Sequence, residues 1–117
     1  MRHGVKKVKL GSDRDHGRSM VKNISIDLII HEKVKTIAGR AQAVMPLVEK
    51  LIGVAKRPNK TLAIKHISKA LNHENASKKL IEVLAKRYEG KNSGYVRKTF
   101  LKYRKGDNAH LVLIELV

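Results

Sequence analysis

The chain has 117 residues, with 26 Lys and Arg against 10 Asp and Glu, so its formal net charge is +16. A chain of this length fits one domain and can bury a substantial core. It contains no cysteine, which excludes a disulfide framework, a thiolate nucleophile and Cys-ligated zinc or iron–sulfur sites. No apolar run approaches the ~20 residues of a membrane span, and the N-terminus lacks the apolar segment of a secretory signal, so we expect a soluble, intracellular protein.

The large positive charge predicts a polyanionic partner, and nucleic acid is the main candidate. Grouped charges favour a binding surface, whereas scattered charges favour a merely solvated one. Segment 1–22 carries seven basic residues, and segment 91–106 carries six with no acidic residue. Segment 23–55 is nearly balanced in charge. We therefore predict that the two ends contact the partner and that the middle is mainly scaffold.

The first third of the chain predicts an arm, a helix and a strand. Residues 1–12 have two glycines, four basic residues and little periodic apolar surface, which is typical of an extended basic arm. Ser12 or Asp13 can cap a first helix over about residues 13–31, where apolar residues recur at helical spacing. Polar and apolar residues alternate over 33–37, which predicts a half-buried strand.

The remainder predicts three helices and a hairpin. An apolar stripe from about residue 37 to 56 indicates a core-facing helix, which Pro46 should kink or break. Asn59 can cap a short third helix, and a fourth runs from about 75 to 87. Two β-branched and aromatic runs, Tyr95–Tyr103 and Ala109–Val117, predict a β-hairpin.

This element order predicts an α+β fold. We expect a two-layer single domain with the order α-β-α-α-α-β-β, in which a three-stranded mixed sheet packs on the helices. The chain then divides into a basic N-terminal arm, residues 1–12, and a globular α+β domain, residues 13–117.

The sequence offers no catalytic or metal-binding pattern. Its six histidines form no H-x-x-x-H or H-E-x-x-H pair, and neither a Walker loop nor G-x-G-x-x-G occurs. The neighbouring carboxylates Asp13 and Asp15 lie in a basic segment, where capping or ion pairing explains them more simply than acid–base catalysis. We predict that the chain is not an enzyme, and that it has no cofactor, metal or small-molecule substrate.

Aromatic residues are scarce, but three of them lie among the basic residues of the predicted hairpin. Strict alternation along the first hairpin strand defines two faces, one with Tyr95, Arg97, Thr99, Leu101 and Tyr103, the other with Val96, Lys98, Phe100 and Lys102. Tyr95 and Tyr103 either stack on bases or pack in the core. Contact with the nucleic-acid backbone fits better than sequence readout, and structured RNA suits a domain with a basic arm.

Several short strings identify the chain more closely. Met1-Arg2-His3-Gly4 opens it, Lys9-Leu10-Gly11, His16 and Lys22-Asn23 follow, residues 46–52 read PLVEKLI, and the end contains Gly106-Asp107-Asn108-Ala109 and Leu113-Ile114-Glu115-Leu116. With the turn at residues 92–97, this combination resembles the bacterial large-subunit ribosomal proteins of the L17 family. The resemblance spans the whole chain in the same order.

The resemblance implies an α+β fold with a three-stranded sheet and a structural role in the cytoplasmic large ribosomal subunit. It also implies contact with large-subunit ribosomal RNA and with neighbouring ribosomal proteins, on the side where the nascent peptide emerges. Five residues match the family's basic arm: Arg2, His3, Lys6, Lys9 and His16. Lys22 stands where the family usually has arginine, and Arg97 and the turn 104–107 match its basic hairpin. The chain departs from the family pattern at Val8, Gly17 and His110.

We therefore predict a non-enzymatic ribosomal protein that stabilises large-subunit RNA and has no membrane partner. The candidate RNA contacts are Arg2, His3, Lys6, Lys7, Lys9, Arg14, His16, Arg18, Lys22, Tyr95, Arg97, Lys98, Arg104 and Lys105. The alternatives are a free nucleoid-type DNA-binding protein and a basic enzyme acting on nucleic acid. The first would need a dimer interface or apolar wedges, and the second a metal or acid–base cluster, neither of which the sequence supplies.

Overall fold

The computed structural model describes His3 and residues 9–117. Its elements in chain order are α1 (Arg14–His31), β1 (Lys33–Ile37), α2 (Ala38–Ala55), α3 (Lys60–Leu71), a fourth helical segment from residue 74 to 87 that we call α4, β2 (Val96–Tyr103) and β3 (His110–Leu116). The predicted order of elements is confirmed, and each boundary lies within two residues of its expected position.

Helix α1 begins and ends as its sequence dictates. The Asp13 carboxylate accepts a hydrogen bond of 2.8 Å from the His16 backbone N–H, which satisfies one of the free donors of the first turn. Glu32 ends the helix in the left-handed conformation, with φ 66°, and β1 begins at the next residue. The chain therefore passes directly from the first helix into the sheet.

Helix α2 provides much of the core and is continuous through Pro46. Seven of its residues are buried, among them Val44, Val48 and Ile52, which are fully inaccessible. The sequence left open whether the proline would kink or break this helix, and the helix is not broken. Its packing against β1, β3 and α1 outweighs the loss of one backbone hydrogen bond.

The next two helices are short and capped by side chains. Asn59 accepts from the Leu62 N–H at 3.3 Å to begin α3, and His73 Nδ1 accepts from the Ala76 N–H at 3.1 Å to begin α4. Helix α4 is α-helical over Glu74–Lys79, forms a π-helical turn over Leu80–Leu84 and returns to α-helix over Ala85–Arg87.

The sheet has the strand order β1-β3-β2, and both pairings are antiparallel. The expectation of a mixed sheet is therefore wrong. The hairpin makes β2 and β3 antiparallel, and β1 runs in the same direction as β2. Pairing of β1 with β2 would have been parallel and would have given a mixed sheet. Instead, β3 lies between β1 and β2, so both pairings are antiparallel. The helices cover one face of this sheet, as the predicted two-layer architecture requires.

A β-bulge interrupts the pairing of β2 with β3. Phe100 pairs with Val112 and Lys102 with Leu111, so Leu101 is an extra residue on β2. The strict alternation expected for β2 is therefore wrong beyond this point. Tyr103, three residues after Phe100, lies on the same face as Phe100, which uniform alternation would not allow.

Candidate nucleic-acid interface

The structure describes only part of the predicted basic arm. Arg2, Lys6 and Lys7 lie outside the described residues, so their predicted contacts stay predictions. His3 and Lys9 are both exposed. Asp13 caps α1, so residues 9–12 lead directly into the first turn of that helix.

Three cations follow one another along α1 at intervals of four residues. Arg14, Arg18 and Lys22 lie on successive turns of the same side of the helix. The two arginines are exposed and Lys22 is half-buried. Among the described residues, no carboxylate lies within ion-pair distance of these three side chains. We call these three residues the α1 basic face. His16, predicted as a contact, is exposed on the same first turns.

Helix α3 extends the α1 basic face. A shallow groove is lined by Asp15, Arg18 and Lys22 from α1, Leu47 from α2 and Lys69 from α3. Lys65 and His66 are exposed on α3 as well. These α3 residues were missed from the sequence. The available signal was the stretch 51–73, which contains five basic residues and no acidic one.

The basic residues of the hairpin differ from those of α1 because several are already paired. Arg97 on β2 donates two hydrogen bonds to Glu115 Oε1, from Nε at 3.0 Å and from an Nη atom at 2.7 Å. Arg97 thereby lowers the pKa of Glu115 below its usual value. Lys98 and Lys105 are exposed. Lys102, which was not predicted as a contact, is exposed between them.

Arg104 and Asp107 hold the hairpin turn. Two guanidinium nitrogens of Arg104 donate to the two carboxylate oxygens of Asp107, the Nε bond being 2.9 Å. Asp107 Oδ1 also accepts from the Ala109 N–H at 3.2 Å. The hydrogen bond from Arg104 and then that from Ala109 lower the pKa of Asp107 from 3.8 to about 2. A phosphate at this turn would therefore compete with Asp107 for Arg104.

Tyr95 is not available for stacking on a base, and its prediction as an RNA contact is wrong. Its side chain is only 3% exposed, and its ring packs at 5.0 Å from that of Tyr88. The Tyr95 hydroxyl donates to the Lys91 carbonyl at 2.9 Å and accepts from Lys56 Nζ at 2.9 Å. Tyr95 therefore fastens the loop before β2 to the end of α2.

An exposed aromatic cluster lies on the hairpin instead. Phe100, Tyr103 and His110 form a mutually contacting set, which we call the aromatic patch, with ring centroids 4.8 to 5.8 Å apart. Phe100 and Tyr103 are each 52% exposed. Sequence reasoning missed this cluster because it placed Phe100 and Tyr103 on opposite faces of β2.

Two kinds of feature do not occur among the described residues, a cluster of metal-binding side chains and a membrane-spanning helix. Over residues 9–117, together with His3, no three His, Cys, Asp or Glu side chains are grouped closely enough to hold a metal ion. Within the same residues, none of the helices has the length and apolar character needed to cross a bilayer.

Comparison with known proteins shows where this arrangement belongs. The family model for ribosomal protein L17 matches residues 20–117. A large ribosomal subunit protein bL17 from Wolbachia sp. subsp. Drosophila simulans is 43% identical over the whole of this chain and 83% of its own length. The bL17 protein of Chloroflexus aggregans is 38% identical over the full length of both chains, and that of Agrobacterium fabrum is 36% identical over this whole chain and 82% of its own length. These similarities confirm the resemblance noted in the sequence, and the chain belongs to the ribosomal protein L17 family.

Proposed function

We propose that this chain is a structural constituent of the large ribosomal subunit, in the cytoplasm, where it binds and stabilises large-subunit ribosomal RNA. The observation that carries the proposal is similarity over the whole chain to proteins named as large ribosomal subunit proteins. Membership of a ribosomal protein family also agrees with the prediction that the chain is not an enzyme.

The α1 basic face supports RNA binding because its charges are not used within the domain. Arg14, Arg18 and Lys22 span about 12 Å along the helix axis, at roughly 1.5 Å per residue. Lys69 extends this surface across the groove. Each such cation that meets a phosphate releases condensed counterions, so the contact stabilises packed RNA and weakens with added salt.

The hairpin supplies a second surface, with Lys98, Lys102 and Lys105 exposed along it. Arg97 and Arg104 remain candidate contacts, but each must share its guanidinium with a carboxylate. The planar fork of arginine can serve two acceptors at once, which makes this sharing feasible. The helices and sheet hold the hairpin in a fixed relation to the α1 basic face.

We include the basic arm, residues 1–12, as a third contact element, distinct from the globular domain at residues 13–117. Its composition favours ordering on contact with RNA rather than independent folding. Arg2, His3, Lys6, Lys7 and Lys9 are its proposed phosphate contacts.

Helix α4 is the proposed side for neighbouring large-subunit proteins near the peptide exit. A groove between α3 and α4 is lined by Ile64 and Ile81 together with Glu74 and Glu82. Its carboxylates disfavour a phosphate backbone, although Lys78 also lines it and pairs with Glu74, and Ile64 and Ile81 offer apolar contact to a protein surface.

Sedimentation of a cell lysate on a sucrose gradient tests the function. The tagged chain should migrate with the large ribosomal subunit, and DNase treatment should leave its position unchanged. Recovery in a DNase-sensitive fraction would establish the DNA-binding alternative instead.

The arm can be tested with the full chain. Replacing Arg2, Lys6, Lys7 and Lys9 with Gln should weaken binding to ribosomal RNA and flatten its salt dependence, because about four phosphate contacts are lost. The melting temperature should not fall, because these substitutions remove charge but no apolar residue. A charge-conserving exchange of Lys and Arg at these positions is the control, and an unchanged salt slope in the Gln variant would exclude the arm.

A further inference from the structure

We propose that the aromatic patch of Phe100, Tyr103 and His110 is a stacking platform for an unpaired base of RNA. This inference rests on the proposed function. It adds base stacking to the phosphate contacts that the cations of the hairpin can make.

The backbone of β2 brings the platform together. Without a bulge, Phe100 and Tyr103 would point to opposite faces of the strand, because they are three residues apart. The extra residue Leu101 places them on one face, with ring centroids 5.3 Å apart. Tyr103 pairs directly with His110 across the hairpin, and their centroids are 4.8 Å apart. Bulges of this kind re-aim side chains at specific positions.

The platform extends beyond the cover of the helices. Val96 at the start of β2 is buried, whereas Phe100 and Tyr103 on the same face are each 52% exposed. In the part of the chain that the structure describes, nothing covers their outer surfaces. Exposed aromatic rings that touch one another form a contiguous apolar surface, which is typical of a binding site.

The charges around the rings select RNA as the occupant. Lys98 lies on the same face as Phe100, and Lys105 is exposed in the turn that follows Tyr103. Within the turn 104–109, the single carboxylate is Asp107, and it is bonded to Arg104. A protein interface would be depleted in lysine at such a position, whereas aromatic rings interleaved with cations match a base and its flanking phosphates.

The occupant must be an unpaired nucleotide rather than a duplex. A paired base has its faces covered by its neighbours, whereas a base in a loop or bulge can be splayed out onto an aromatic ring. Stacking uses the π-face common to all bases, so the platform should bind without strong sequence preference.

Two RNA probes isolate the contribution of the base. One is a short single-stranded oligouridine, and the other is an abasic ribose–phosphate oligomer with the same number of phosphates. The full chain should bind oligouridine roughly tenfold more tightly than the abasic oligomer. The double variant Phe100→Leu/Tyr103→Leu should bind both with the affinity that the full chain has for the abasic oligomer, and with an unchanged salt slope.

Tyrosine fluorescence supplies a direct readout of stacking. The chain has no tryptophan and three tyrosines. Tyr88 and Tyr95 are each 3% exposed, whereas Tyr103 is 52% exposed. Oligouridine should therefore quench part of the emission of the unmodified chain, and the abasic oligomer should not. The variant Tyr103→Leu should lose this quenching.

The outcomes separate this inference from the proposed function. Equal affinity for both probes without quenching would overturn the stacking platform while leaving RNA binding intact. Binding of neither probe would overturn RNA binding itself. The comparison of probes uses the unmodified chain, so it remains decisive even if a variant fails to fold. Reduced sedimentation of the double variant with the large subunit, without any base preference in the unmodified chain, would assign the patch to a protein neighbour.

Discussion

The α1 basic face has three cations and the hairpin has five, and the two regions use them differently. Arg14 and Arg18 have no carboxylate partner among the described residues, whereas Arg97 and Arg104 are bonded to Glu115 and Asp107. The helix needs none of its cations to fold, because Asp13 caps it and apolar residues anchor it. In the hairpin turn, the guanidinium of Arg104 is bonded to Asp107, and two backbone hydrogen bonds between residue 104 and residues 108 and 109 also close the turn. We therefore expect the arginines of α1 to contact a phosphate directly, whereas each hairpin arginine must share its guanidinium with a carboxylate or exchange that partner.

Within the globular domain, the largest expected effect is on RNA binding by the α1 basic face. Replacing Arg14, Arg18 and Lys22 together with Gln should lower affinity for ribosomal RNA roughly 100-fold at 0.1 M salt and reduce the salt slope by about two units. The melting temperature should not decrease, because the three side chains form no ion pair among the described residues and Arg14, in the first turn, opposes the helix dipole. Fluorescence anisotropy at several salt concentrations and thermal denaturation provide the two measurements.

A matched control carries the same change in net charge. Lys33, Lys78 and Lys86 are exposed on β1 and α4, away from α1 residues 14–22, and the first two pair with carboxylates. Their replacement with Gln should reduce affinity much less. If the two triple variants bind ribosomal RNA with equal affinity, the affinity depends on net charge alone and the α1 basic face is not a distinct contact surface.

The next effect concerns stability, at the junction of α1 and α4. Glu32 accepts hydrogen bonds of 2.8 and 2.9 Å from Arg87 and pairs with Lys79 at 3.0 Å. Arg87 first and then Lys79 lower the pKa of Glu32 from 4.5 to about 2. Glu32→Gln should therefore lower the free energy of unfolding by about 1 kcal/mol at pH 7, the upper end for partly exposed pairs.

The pH dependence of this contribution has a definite sign. Because the folded-state pKa of Glu32 lies below its unfolded value, the stabilisation is complete above about pH 4.5 and is lost as the pH falls towards 2. The difference between Glu32→Gln and the unmodified chain should shrink over this range in urea denaturation. A difference that stays constant down to pH 2 would show that the carboxylate charge is not the cause.

A similar effect on stability is expected in the core, at Tyr95. Removal of its hydroxyl in Tyr95→Phe deprives Lys56 of one acceptor and should destabilise the fold by about 1 kcal/mol. RNA affinity should stay the same, because Tyr95 is buried. Tyr103→Phe, which changes an exposed hydroxyl, is the matched control for stability. Loss of RNA affinity in Tyr95→Phe without loss of stability would show that Tyr95 contacts RNA after all.

The smallest effect is expected from a substitution of Asp107, which tests whether its bond to Arg104 limits contact between Arg104 and RNA. Asp107→Asn raises the net charge and releases the guanidinium, so RNA affinity should rise a fewfold and the salt slope should steepen by about one unit. The melting temperature should fall, because the turn loses its ion pair. Unchanged affinity would mean that Arg104 serves the turn alone.

The elements and their boundaries could be predicted because they depend on local physics. Apolar periodicity set α2, and side-chain caps at Asp13 and Asn59 fixed the starts of α1 and α3. The basic character of α1 and the hairpin was likewise visible in the sequence. The α3 cations were missed because their residues are separated in sequence from α1 and meet it only across the groove.

The sequence by itself therefore determined the composition, the helices and strands, the family and the presence of two basic regions. The tertiary structure alone decided the antiparallel sheet order, the burial of Tyr95 and the one-residue bulge at Leu101. Strand partners and bulges depend on which segments compete for the centre of a sheet, and that competition is between residues distant in sequence. A shift of one residue reverses the face of every side chain beyond it, so the aromatic patch could only be seen in three dimensions.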